Sequence, residues 1–373
     1  MNAETSSITY PRNHLKRSLV HGIGHLLLPL LFNIKITGRE NFPESGPLIV
    51  VGNHTAAMEA VFINIYTPWQ MEMLSAADIP AEPFVDWISQ FYGVIPLHRG
   101  SFDRSALRAA LEVLDQNGVI GLFPEGGIWE EGKRKAQSGV AWLSYRSAAP
   151  VLPIGFSDTT GKLNAALKLK RPEMNMNIGA IIPPARLPED QARKTYLQGY
   201  ADQVMDEVHQ LVPPQDRVST PAIRDEDFEV EIKILDQEKE NVPVPEQVSI
   251  QHPRALAKVL HRPAILKIFR VNLNLPVEPL QQLHQHPTPN AMLNGIEAIL
   301  QYLEDENPYL LTYRFGPREG FAMENGLREM KKLLSWADQN HYQAHITPIR
   351  KYTSRKEKRT IIQTKQGTFQ DWM

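Results

Sequence analysis

Residues 47–59 read PLIVVGNHTAAME, from Pro47 to Glu59. Pro47 to Gly52 is short, largely apolar and β-branched in character, which predicts a buried strand. A helical pattern follows from Thr55 to Tyr66. A strand that turns into a helix is the repeating unit of α/β sheets, and ligands bind at the ends of such strands. His54 falls in the turn, with Glu59 five residues further on. On a regular helix, residues five apart point about 140° away from each other. The two side chains can therefore meet only if His54 precedes the helix and Glu59 reaches back from its first turns. In that geometry Glu59 accepts a hydrogen bond from one imidazole nitrogen while the other faces a substrate. Standing alone, the pair is a weak signal, and a satisfied structural histidine is the better reading.

Outward from this stretch, strands and helices alternate. Strands are expected at Met71–Ala76, Val94–Pro96, Val119–Phe123, Val151–Phe156 and Asn175–Ile182. Helices are expected over Pro83–Tyr92, from a Ser101 cap to Asn117-Gly118, over Gly139–Ala148 and over Glu189–Val212. The fold class this predicts is α/β, a mixed, largely parallel sheet flanked by helices.

Three further blocks sit at expected strand ends. Gly93-Val94-Ile95-Pro96-Leu97-His98-Arg99-Gly100 places Arg99 just after a strand. Leu122-Phe123-Pro124-Glu125-Gly126-Gly127 runs from a strand into a glycine-rich turn that admits close approach of a ligand. Val151-Leu152-Pro153-Ile154 is an apolar strand interrupted by proline. In this order and spacing, the four blocks over roughly residues 35–212 resemble those of glycerolipid acyltransferases, the 1-acylglycerol-3-phosphate acyltransferases in particular. The resemblance implies transfer of a fatty acyl chain from acyl-CoA or acyl carrier protein to the hydroxyl of a lysophospholipid-like acceptor. It implies His54 as general base, with Glu59, where the family has aspartate, orienting it. It further implies that Arg99 binds the acceptor phosphate, that Asn53, Glu125, Gly126 and Gly127 shape the substrate site, and that Pro153 lines the acyl donor's side. No metal and no cofactor beyond the acyl donor are implied. Gly127-Ile128-Trp129 stands where the family has threonine, arginine and serine; Lys133, Arg134 and Lys135 lie nearby in sequence. Two other readings stay open: a lipid-binding or scaffold protein without catalysis on the same fold, and transfer to a phosphate-free acceptor.

The chain has 373 residues, enough for two domains. Its formal charge of -2 argues against nucleic acid as a partner, and it has no cysteine, which excludes disulfides, thiolate metal sites and a cysteine nucleophile. His284, His286, His341 and His345 have metal-like spacing without a completing carboxylate set. The apolar run Leu19–Phe32, broken by Gly22, Gly24 and Pro29, is too short for a confident span and reads alone as core. Next to an acyltransferase that acts on lipid, it reads instead as an interfacial helix, with Arg12, Lys16, Arg17, Lys35 and Arg39 facing anionic lipid. The expected organisation is a membrane-associated helical segment 1–36, an acyltransferase domain 37–213, an acidic linker 214–252 and a separate C-terminal α or α+β unit 253–373 of unknown role. The linker rests on 222–246, which hold nine acids against three bases. The basic cluster Arg350 to Lys365, with Lys351, Arg355, Lys356, Lys358 and Arg359, reads as a solvated face or a second contact with lipid. The expected location is the cytoplasmic face of a membrane, peripheral or monotopic.

Overall fold

The five residues Leu48–Gly52 carry no polar side chain, and all five are buried. The computed structural model describes residues 8–77, 83–98, 103–126, 136–159, 161–216, 223–261, 263–283, 285, 288–354 and 359–364. The chain divides into two compact units near residue 220. In chain order the first unit contains α1 (His14–Leu31), β1 (Asn33–Thr37), β2 (Leu48–Gly52), α2 (Met58–Tyr66), β3 (Glu72–Ala76), α3 (Pro83–Tyr92) and β4 (Ile95–Leu97). It continues with α4 (Arg104–Asp115), β5 (Val119–Leu122), α5 (Gly139–Ser147), β6 (Val151–Phe156), α6 (Lys162–Leu167), β7 (Glu173–Ile178) and α7 (Arg193–Leu211).

Among the described residues, β2 is the centre of a seven-stranded sheet of order β1-β7-β6-β2-β5-β3-β4. Every pairing is parallel except that of β6 with β7. Alternate side chains of a strand face opposite sides, and β2 separates two cores accordingly. Ile49 and Val51 pack with the apolar faces of α4, α5 and α7. Leu48 and Val50 pack with Phe62, Ile63 and Leu28 from the opposite layer. The sheet is thus mixed and largely parallel, flanked by helices.

Boundaries shift where side chains compete with helical backbone. The helix expected from Thr55 begins at Met58, because the amides of Thr55 and Ala56 are taken by the Glu59 carboxylate. Asp103, accepting from Ser105 N and Ala106 N, caps α4, while the expected cap Ser101 lies outside the described residues.

Two expectations are corrected. Of the segment expected at 1–36, the described residues 8–36 are not apart from the domain: β1 pairs with β7 inside the sheet, and Arg17 of α1 is fully buried. Arg17 forms a two-pronged ion pair with Glu72, 2.7 Å on each side, and Arg12 binds the same carboxylate. Lys35 pairs with Glu173. Of the five cations expected to face lipid, Lys16 and Arg39 are exposed and outside these three ion pairs. On its other side α1 leaves Leu15, Leu19, Ile23, Leu26 and Leu30 largely exposed, at the three- and four-residue spacing of a single helix face. No helix among the described residues is long and apolar enough to cross a membrane.

The second correction concerns 214–252. In the second unit, β8 (Ile223–Leu235) is a thirteen-residue strand, not a linker. There follow α8 (Pro253–His261), α9 (Pro263–Lys267), α10 (Glu278–Gln281), α11 (Pro289–Asp305), α12 (Leu310–Phe315), α13 (Pro317–Gln339), β9 (Gln343–Ser354) and β10 (Arg359–Thr364). Among the described residues these strands form an antiparallel sheet of order β10-β9-β8. Phe228, Val230, Ile232 and Ile234 alternate with Glu229, Glu231 and Lys233, which is the pattern of a half-buried strand. The acids then meet the bases of the tail across the sheet: Glu226 binds Arg350 and Glu229 binds Lys351, each at 2.6 Å. Opposite charges on facing strands contribute roughly 0.2–1 kcal/mol per pair.

Candidate active site

At the end of β2, a side chain on Gly52 would bring a Cβ within 3.0 Å of the Phe156 ring and 3.2 Å of the Phe123 ring. Glycine lets the two aromatics close over the strand end. Asn53 comes next and is buried. Its amide donates to the carbonyl of Phe156 at 3.1 Å, and its own oxygen accepts from the Phe156 N–H at 2.7 Å. A side chain used at both ends in this way extends the β2–β6 pairing by one rung. Asn53 therefore fixes the turn into His54, where a substrate-binding role was expected.

The His54 ring lies flat against Phe123, with centroids 4.3 Å apart and planes 11° from parallel. Nδ1 is the buried nitrogen, 3.5 Å from Oε2 of Glu59, and the side chain keeps 18% exposure. Glu59 reaches back from the first turn of α2, as the five-residue spacing requires. It is completely buried. One oxygen accepts from the backbone N–H of Thr55 at 3.0 Å and of Ala56 at 3.1 Å, and from the hydroxyls of Thr55 and Thr159. The other faces His54 and also accepts from Ala56 N. Burial alone would raise this carboxyl. The nearby imidazole of His54, 3.5 Å away, with hydrogen bonds from the hydroxyls of Thr159 and Thr55, outweighs it and holds the group below its ordinary 4.5. Glu59 is thus ionised, and it has a second, local duty as a cap on the amides that precede α2.

Thr159 escaped the reading of the sequence. It lies 100 residues from Glu59, in the loop after β6, and its N–H also donates to the Thr55 hydroxyl at 3.1 Å. Adjacent parallel strands bring their C-terminal loops together, so its place directly after the fourth block was the available signal. Phe123, at the end of β5 next to β2, is positioned by the same rule.

Glu125 is buried in the turn after β5, and Gly126 adopts a φ of +71° there, closing the turn through its N–H to the Phe123 carbonyl at 3.1 Å. Pro153 is buried in β6 beside Val51. Arg99, Gly127, Trp129 and Lys133 to Lys135 lie outside the described residues, as do His284 and His286. Among the described residues no group of three His, Asp or Glu side chains is placed to hold a metal.

The arrangement is a histidine ring stacked on Phe123 beside a buried, ionised glutamate, at one end of a largely parallel sheet. A family model described as Acyltransferase matches residues 33–157. The chain is 33% identical over 131 residues to a 1-acyl-sn-glycerol-3-phosphate acyltransferase of Borreliella burgdorferi, covering 34% of this chain and 52% of that protein. It spans about half the length of that relative. A Bacillus subtilis protein of the same name is 17% identical over 155 residues, 41% of this chain and 76% of its own. The crystal structure of the 1-acyl-sn-glycerophosphate acyltransferase PlsC from Thermotoga maritima matches with a TM-score of 0.39 and 20% identity, over 53% of this chain and 83% of that one.

Proposed function

We propose, from the premise that residues 33–157 belong to the glycerolipid acyltransferase family, that this chain moves a fatty acyl group from a thioester to a lipid hydroxyl. The observation that carries the proposal is the pairing of His54 with a buried, ionised Glu59 at the end of β2. Nδ1 of His54 lies 3.5 Å from Oε2 of Glu59, and a small closure lets Nδ1–H donate to the carboxylate, so the neutral ring presents Nε2 as a base. The acceptor hydroxyl attacks the thioester carbonyl while Nε2 takes its proton. The imidazolium that forms is stabilised by the Glu59 carboxylate. The tetrahedral intermediate expels the thiolate, the carbon–sulfur bond breaks, and the thiolate takes the proton back from His54. The products are an ester and a free thiol, from coenzyme A or acyl carrier protein.

For an acceptor of the lysophospholipid kind, Arg99 is the group proposed to bind the phosphate. Glu125, Gly126 and Gly127 are the residues proposed to serve the acceptor, and Pro153 the acyl donor. The exposed apolar face of α1 supports peripheral attachment to a bilayer, where such an acceptor resides; a cytoplasmic leaflet matches the proposed donors.

The test is thiol release by the purified full chain with acyl-CoA or acyl carrier protein, against lysophosphatidate, other lysolipids and phosphate-free alcohols. Release should require an acceptor and should fall about a hundred- to ten-thousand-fold in His54→Ala, with the fold intact. A His54→Ala chain that keeps acceptor-dependent turnover overturns the mechanism.

A further inference from the structure

Helix α6 ends in a left-handed closure. Leu169 N–H donates to the Ala166 carbonyl at 2.8 Å, and Lys170 N–H to the Ala165 carbonyl at 3.0 Å. This pair of bonds requires a positive φ at the residue between, and Leu169 has φ +57°. Glycine is the ordinary occupant, because a side chain there crowds the backbone. A leucine is therefore a strained choice, and it is 77% exposed, so little burial offsets the strain. Leu167, in the last turn of α6, is 68% exposed. Lys168, Lys170 and Arg171 surround them and are exposed too. Two leucines held out in water among three cations is the composition that inserts into the headgroup region of an anionic bilayer.

The topology puts this turn where a bilayer would serve the reaction. Because β7 runs antiparallel to β6, with Phe156 opposite Met176, Glu173 lies three residues beyond the end of β6. That is the end of the sheet at which β2 delivers His54. Since β1 starts level with Glu173, the C-terminal end of α1 is at the same end. Arg171 also donates from Nη2 to the Pro29 carbonyl of α1 at 2.9 Å. The C-terminal turn of α1 and the turn that carries the two leucines thus meet at the same end of the first unit.

We infer that the turn Leu167–Arg171 is a second lipid-insertion element, which with α1 seats the active-site end of the sheet on an anionic membrane. The inference rests on the membrane reading proposed above, and its test separates the two. The full chain is sedimented with vesicles of phosphatidylcholine alone, and of phosphatidylcholine with an equal part of phosphatidylglycerol. Leu169→Asn suits the left-handed backbone better than leucine. It should lower partitioning into the mixed vesicles, roughly tenfold when combined with Leu167→Ser. Leu169→Asn alone should leave the melting temperature unchanged or raised. Lys168→Glu with Lys170→Glu should lower binding to the mixed vesicles only. Binding of Leu169→Asn and of the double variant at the wild-type level overturns the inference, as does a fall in melting temperature that accompanies the loss. Leu19→Ser with Leu26→Ser tests α1 in parallel: if that variant loses binding while the leucine variants keep it, the helix reading stands and the turn is excluded. A wild-type chain that sediments with neither vesicle removes both.

Discussion

Glu59 and Glu72 are both completely buried carboxylates of the first unit, and both are held below the ordinary 4.5 against the effect of burial. They are compensated in opposite ways. Glu72 is matched by permanent cations: Arg17 at 2.7 Å on both oxygens, and Arg12 at 2.7 Å. Arg17 is itself tied to the carbonyls of Tyr92 and Gly93 and lies over the Tyr92 ring. Glu59 instead gathers two hydroxyls, two backbone amides and His54. A carboxylate already neutralised by fixed guanidiniums has no role left when a proton arrives nearby. Glu59 is compensated by His54 itself together with neutral hydroxyls and amides, so its charge is directed at the ring on which the proposed mechanism forms an imidazolium. On the proposed mechanism, the difference separates a structural acid from one available to chemistry, although burial and pKa direction are the same.

That contrast can be broken most forcefully at Glu72. Removing one partner of a buried pair leaves an uncompensated charge, so Glu72→Ala should cost about 3–5 kcal/mol in denaturant unfolding. Turnover per folded molecule should stay close to wild type. Next in size is Thr159→Val. It removes one hydroxyl donor to Glu59, and kcat should fall about tenfold, as expected for a lost hydrogen bond to a charged group. KM should hold, and Thr159→Ser should restore the rate. A change confined to KM would show that Thr159 touches substrate instead. The smallest effect is the pH dependence of stability. Both acids have folded values below the unfolded one, so their contribution is complete above about 4.5 and is lost as pH falls through the depressed values. Urea titrations across that range should show the acid limb flattened in Glu72→Gln relative to wild type.

The part of the fold that could be read in the sequence is the part governed by local period and spacing. Leu48–Gly52 is uniformly apolar, and His54 with Glu59 can meet in only one way. What could not be read depends on partners far along the chain. Arg12 and Arg17 look like a basic flank for lipid until Glu72, 60 and 55 residues away, draws them into ion pairs. Thr159 looks like any loop hydroxyl until the β2–β6 pairing delivers it to Glu59. In β8 the net acidity of 222–246 hid the alternation of Phe228, Val230, Ile232 and Ile234. The compensating bases, Arg350 and Lys351, sit more than 100 residues later.

The central claim is that the Glu59 carboxylate serves His54, while the Glu72 carboxylate serves only the fold. It is tested by measuring melting temperature and acceptor-dependent thiol release together for Glu59→Gln and Glu72→Gln. In Glu59→Gln the amide can donate to Nδ1, which leaves the ring's proton on Nε2 and removes the base. Thiol release should fall on the order of a thousandfold, with the melting temperature near wild type. Glu72→Gln should lower the melting temperature and leave turnover per folded molecule unchanged. Wild-type turnover in Glu59→Gln, or lost turnover in fully folded Glu72→Gln, would contradict the assignment.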